Sequence, residues 1–114
     1  MKALSIQIQP ELAPELDVAE VKRSLAAITQ SPLVKKHDFN EGLDKTRYLN
    51  FTFGTEDLSS LWSLIQSQVF GNAAFAEMLA KSSIVVCEGE DGWNDYLQLF
   101  HFDPDLPRDS IDAI

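Results

Sequence analysis

Residues 47–62, Arg47-Tyr48-Leu49-Asn50-Phe51-Thr52-Phe53-Gly54-Thr55-Glu56-Asp57-Leu58-Ser59-Ser60-Leu61-Trp62, carry two periodicities back to back. Leu49, Phe51 and Phe53 alternate with Tyr48, Asn50 and Thr52, the period of two of a strand with one buried face. Beyond Gly54 the apolar residues Leu58, Leu61, Trp62, Ile65 and Val69 recur at i,i+3 and i,i+4 spacing, which is a helical stripe. Thr55 has the side chain to cap that helix. A half-buried strand running directly into an amphipathic helix sets the expectation of an α+β domain.

Toward the N-terminus, Leu4, Ile6 and Ile8 alternate with Ser5, Gln7 and Gln9 and predict a first strand. Pro10 and Pro14 punctuate a connector, and Asp17 with Glu20 three residues on reads as a capping box. Val18, Val21, Leu25 and Ile28 then follow at helical spacing, up to the stop imposed by Pro32. Leu33–Phe39 reads as a strand paired with Arg47–Phe53 across a turn at Asn40-Glu41-Gly42. A loop is the competing reading, because Lys35, Lys36, His37 and Asp38 stand in succession.

Toward the C-terminus, Gly71-Asn72 breaks the second helix and Asn72 caps a shorter one carrying Phe75, Met78 and Leu79. Ser83–Glu88 is β-branched and apolar, Gly89–Gly92 is a turn, and Tyr96–Phe102 is strand-like again. The order predicts a ferredoxin-like split β-α-β-β-α-β antiparallel sheet with an extra C-terminal hairpin strand and helices on one face. Leu4, Ile6, Ile8, Leu49, Phe51 and Phe53 should face Val21, Leu25, Leu61, Trp62 and Ile65. Residues 1–102 form the single domain. Residues 103–114, with Asp103-Pro104 and Leu106-Pro107, form an acidic tail on the surface or partly disordered.

The 114 residues suffice for one core, and 45% hydrophobic against 24% charged residues is the balance of a globular chain. No apolar stretch approaches the length of a membrane span, and the first residues lack a signal-peptide pattern, so neither anchor nor signal peptide is expected. Cys87 stands alone, which forbids an intramolecular disulfide and points to a reducing cytoplasm. The net charge of -9 disfavours nucleic-acid phosphates and anionic lipid as direct partners. Residues 83–114 hold eight acids against Arg108 alone, so this third of the chain carries −7.

Chemistry-bearing residues are sparse. Cys87 and His101 are a conceivable nucleophile and base, but in the last hairpin Cys87 falls opposite Leu97, leaving His101 about 13 Å along the strand. His37 beside Asp38 points to the other face of its strand and lies among lysines. Two histidines and one cysteine on separate elements cannot make a zinc site. The acids of Glu88-Gly89-Glu90-Asp91-Gly92-Trp93-Asn94-Asp95 fall at the wrong offsets for an EF-hand. We therefore expect no catalytic residue, no metal and no cofactor.

Trp93 among those acids is the composition of a binding hot spot, in which a ring fills a pocket and the acids steer a basic partner. The opposed reading has Trp93 fold back onto its own hairpin. Asp103 and Asp105 follow the last strand directly, so Glu88, Glu90, Asp91, Trp93, Asp95, Asp103 and Asp105 form the expected partner-binding set. A second candidate surface is the sheet face opposite the helices, with Ser5, Gln7, Tyr48, Asn50, Thr52, Tyr96, Gln98, Phe100 and Phe102, through which a homodimer could form unless the tail covers Phe100 and Phe102. The expected function is a non-catalytic protein-binding module, in particular a small acidic inhibitor or immunity-type protein masking a basic surface of a toxin nuclease or similar partner. The alternative is a small ferredoxin-like enzyme or ligand-sensing domain acting as a dimer, with His37, Cys87, Tyr96 and His101 as its candidates.

Overall fold

A computed structural model describes residues 1–111, and Asp112 of the expected acidic tail lies outside them. Five strands form one open antiparallel sheet: β1 (Lys2–Ile8), β2 (Lys36–Asp44), β3 (Thr46–Thr55), β4 (Ser83–Gly89) and β5 (Gly92–His101), in the order β2-β3-β1-β4-β5. Three helices, α1 (Val18–Ile28), α2 (Leu58–Ile65) and α3 (Ala76–Ala80), pack their apolar residues on one face. No helix among the described residues is long and apolar enough to cross a membrane.

The alternation in β1 and β3 does what the period of two dictates. Leu4 stands opposite Phe53, Ile6 opposite Phe51 and Ile8 opposite Leu49, and all six are buried. On its other side β1 pairs Leu4 with Cys87 and Ile6 with Val85, so β1 is the centre of the sheet and its even-numbered side chains are the floor of the core. Val21, Leu25 and Ile28 of α1 and Leu58, Leu61 and Ile65 of α2 form the roof. Trp62 is only half-buried, with its ring edge-on to Phe70 at 5.7 Å.

Helix starts are set by carboxylates. Asp17 caps α1 by accepting the Glu20 N–H at 3.1 Å, a bond type whose loss costs about 1 kcal/mol. The cap of α2 is Asp57 rather than Thr55. Thr55 is buried and its Oγ1 accepts the Asp57 N–H, while Asp57 accepts both the hydroxyl and the backbone N–H of Ser60. Those two bonds, the hydroxyl first, hold the Asp57 carboxyl below its usual range. After α2 the chain makes one π turn at Gln66–Phe70, and Asn72 does not cap α3: its Oδ1 accepts the Ala74 N–H in a turn, and α3 starts after Phe75 without a side-chain cap.

Two strand readings are also corrected. Residues 33–35 precede the second strand, and β2 runs straight through Asn40-Glu41-Gly42 to a turn at Lys45, which takes φ 66°. Gly42 is a strand residue because the Tyr48 ring lies across it: a Cβ there would meet the Tyr48 hydroxyl oxygen at 2.6 Å. Phe100, expected on the open face, lies on the helix side. A bulge between Val85 and Val86 gives β5 one extra residue, so Val85 pairs with Phe100 and Val86 with Gln98. Phe100 then packs at 5.4 Å from the Phe70 ring, and His101 takes the open face in its place.

The segment after β5 turns back along it. Asp109 gives its N–H to the Gln98 carbonyl at 2.7 Å and takes the Gln98 N–H on Oδ2 at 2.8 Å, while Gln98 Nε2 reaches the Pro107 carbonyl. Arg108 stacks 4.5 Å over Phe100, and Ile111 packs against the core. The outer edge of β5 is thereby partly covered, which limits its use as a template for another strand.

Candidate functional site

The acidic hairpin owes its shape to one irregularity. Cys87 pairs with Leu97 and Gly89 with Gly92, so the four residues Trp93–Tyr96 stand against Glu88 alone. Such an excess leaves the ladder and re-aims the side chains it carries. Two glycines permit it. Gly92 takes φ 76°, and Gly89 lies so close to the bulge that a Cβ would sit 2.2 Å from the Asp95 carbonyl oxygen.

Side chains within the tip then fix it. Asp95 Oδ1 accepts the Asp91 N–H at 2.8 Å, closing the loop on itself. Glu88 is half-buried and its Oε1 accepts the Ala3 N–H at 3.1 Å, while the Lys2 ammonium donates to the Gly89 carbonyl, so the base of the tip is tied to the start of β1. Exposed at the tip are Trp93 (47%), Tyr96 (55%), Asn94, Asp95 and the carboxylates of Glu90 and Asp91. A large aromatic ring held out of the core by a bulge, with acids beside it, presents an apolar contact inside a negative field.

The expected seven-residue set divides. Glu90, Asp91, Trp93 and Asp95 share the tip, with Glu88 directed back to β1. Asp103 and Asp105 lie past the opposite end of β5, where His101 pairs with Ile84; five strand steps from Gly89 to Ile84 place them about 17 Å or more from the tip. Their own bonding is local: the Asp103 N–H goes to His101 Nδ1, and Asp103 Oδ1 takes the Asp105 N–H. Among the described tail acids, the one that bonds to the sheet is Asp109, which the sequence reading did not single out. Nothing in the local pattern marks it, because its bond to Gln98 depends on the path of the returning chain.

The thiol and the imidazoles are apart. Cys87 is fully buried on the helix side of β4, and burial pushes its thiol up to about 11. His101 lies on the other face, three residues along β4 at Ile84, and His37 is on the far edge strand β2. Tyr96 and His101 do line one shallow hollow of the open face, of about 370 Å³, with Gln7, Asn50 and Gln98. Among the described residues no three His, Cys, Asp or Glu side chains are grouped to hold a metal ion. A separate cleft of about 210 Å³ opens between α1 and β2, lined by Leu25, Phe39, Phe51 and Phe53 among others. Compared with protein-family models, curated proteins and solved structures, the chain matches none.

Proposed function

We propose that this chain is a non-catalytic protein-binding module, and within that class a small acidic inhibitor of immunity type that masks a basic surface of a partner such as a toxin nuclease. The observation that carries it is Trp93, 47% exposed on a bulge that directly follows the turn with the exposed Glu90 and Asp91. A ring held on a braced loop loses little freedom when it docks, which is the economy of a hot-spot anchor. The acids around it supply steering toward a basic partner. A lone, buried Cys87 suits a reducing cytoplasm. The order β2-β3-β1-β4-β5, with β3 between β1 and β2, supports reading the scaffold as a ferredoxin-like split β-α-β extended by β5.

The alternative, a small ferredoxin-like enzyme or ligand-sensing domain, draws on the hollow shared by Tyr96 and His101. It would need the Gln7, Asn50 and Gln98 amides as its polar contacts, since Cys87 lies on the opposite face.

The test is surface plasmon resonance against a partner captured from native lysate, at two salt concentrations. Trp93→Ala should weaken binding by about 2 kcal/mol, roughly 30-fold in Kd, mainly through faster dissociation. Glu90→Gln with Asp91→Asn should mainly slow association, and that rate should fall as salt shortens the screening length from about 30 Å at 0.01 M to about 8 Å at 0.15 M. An affinity unmoved by salt and by all three substitutions removes the tip from the interface.

A further inference from the structure

The two edges of the sheet are unlike. At the β5 edge, Gln98 has both its N–H and its carbonyl occupied by Asp109. At the other edge β2 spans nine residues, and among the described residues no strand lies outside it. Every second residue of such a strand turns its N–H and carbonyl away from the sheet, and a long free edge is a ready template for another strand. Beside that edge the helical layer is incomplete. Phe39 is 41% exposed, tilted against Phe51 at 4.8 Å with the Lys22 ammonium 5.1 Å over its ring, and it forms one wall of the cleft between α1 and β2.

We propose that a second copy of this chain occupies this edge, the two β2 strands pairing antiparallel about Phe39 to make one ten-stranded sheet. Charge selects the occupant. Residues 33–55 hold Lys35, Lys36, Lys45 and Arg47 against Asp38, Glu41 and Asp44, which is 4 − 3 = +1 in a chain of -9. Two copies meeting here avoid the repulsion they would meet at the acidic hairpin.

Charge and the exposed Phe39 ring together select the register. A two-fold axis normal to the sheet keeps both helical layers on one side, and it must pass between the two copies of one β2 residue. Centred on Phe39, the pairs are Phe39 with Phe39, His37 with Glu41, Asp38 with Asn40 and Lys36 with Gly42, and no like charges face each other. Centring on Asp38 or Glu41 sets a carboxylate against itself, and centring on Asn40 sets the exposed Phe39 ring against Glu41. His37, Phe39 and Glu41 alternate onto the helix side, so this register brings the two Phe39 rings together and closes both clefts from their open flank. Glu41 also takes a 3.5 Å bond from Arg47 of β3 within its own hairpin.

Sedimentation velocity across the micromolar range should show a monomer–dimer equilibrium. Phe39→Glu puts like charges face to face at the two-fold and should weaken the dimer by about tenfold or more, with an unchanged circular dichroism spectrum because the ring is not core. Glu41→Lys should also weaken it, and His37→Glu added to Glu41→Lys should restore it. In a Cys87→Ser background, Phe39→Cys should oxidise to a covalent dimer, since directly opposed residues lie about 4.5–5.5 Å apart at Cα. Gln98→Cys at the covered edge should not. A chain that stays monomeric, a dimer indifferent to Phe39→Glu, or cross-linking at Gln98 in place of Phe39 overturns the proposal.

Discussion

The two hairpins, β2–β3 and β4–β5, are built on opposite principles. In β2–β3 the ladder runs from Lys36 opposite Gly54 to Asp44 opposite Thr46 without a break. In β4–β5 it is interrupted twice within seven residues of β4, once beside Val85 and once beside Glu88. The regular hairpin gives the core Leu49, Phe51 and Phe53 in uninterrupted alternation, while the irregular one turns Phe100 inward and holds Trp93 and Tyr96 out. Regular pairing maximises shared burial, and each bulge gives up ladder bonds to aim a side chain. On that view β3 is where the molecule stores stability, and the tip of β4–β5 is where it presents a surface.

The largest expected effect follows from that division. Phe53 is 2% exposed and stands over Leu4 at the centre of the sheet, so Phe53→Ala should cost about 3 to 5 kcal/mol in urea unfolding. Trp93→Ala, which empties no core site, should cost well under 1 kcal/mol in the same measurement. Equal losses would mean that the Trp93 ring supports the fold, and the division between storing and presenting would fail.

Cys87 sharpens the comparison because it lies on the ladder between the two breaks of β4 and yet is wholly in the core. Its thiol is raised from 9.0 to about 11, first by burial, with Lys2 opposing and Asp109 and Glu88 adding to the rise. The sign follows from which state ionises first. The neutral thiol's contribution is complete below about pH 9 and is lost as pH climbs toward 11, because the unfolded chain gives up its proton earlier. At about 1.4 kcal/mol per unit, the loss approaches 2 to 3 kcal/mol. Urea melts of the wild type between those limits should show this slope over and above that of Cys87→Ala, and alkylation at neutral pH should proceed only through unfolding. Rapid alkylation of the folded protein would place Cys87 in an open, mobile part of the hairpin.

What could be read from the chain beforehand divides along the same line. Strands β1 and β3 and helix α1 announce themselves because each has one buried face, and a period records a face. Strand β2 does not. It is an edge strand with Phe39 half-covered and Lys36, His37 and Asp38 in solvent, so it lacks alternation, and Asn40-Glu41-Gly42 imitates a turn although Gly42 only makes room for Tyr48. In the irregular hairpin the turn at Glu90-Asp91 was legible from its glycines, but parity beyond it was not, because the extra residue at Leu99-Phe100 leaves no local mark. The site was legible as composition, an aromatic residue among acids, and illegible as geometry. Whether Asp103 and Asp105 adjoin Glu90 depends on which end of β5 each occupies, and sequence proximity to the strand says nothing about that.

The smallest expected effects set one glycine in each hairpin side by side. A Cβ at Gly42 would come within 2.6 Å of the Tyr48 hydroxyl oxygen, and one at Gly89 within 2.2 Å of the Asp95 carbonyl oxygen. The distances are alike, but the obstacles are not. The end of the Tyr48 side chain lies on the open face and can swing away about its own torsions, whereas the Asp95 carbonyl is main chain and moves only if the bulge moves. Gly42→Ala should therefore cost little, about 0.5 kcal/mol or less, with some return from a residue better suited to a strand. Gly89→Ala should cost about 1 to 3 kcal/mol, the range of an overpacked site. It should also release the bond from the Asp91 N–H to Asp95, so that amide should exchange with solvent faster and the Trp93 fluorescence should shift as its platform changes. Equal stability losses at the two positions, with an unaltered Asp91 amide in Gly89→Ala, would show that the tip is as free to rearrange as an ordinary loop, and the braced presentation of Trp93 would lose its structural basis.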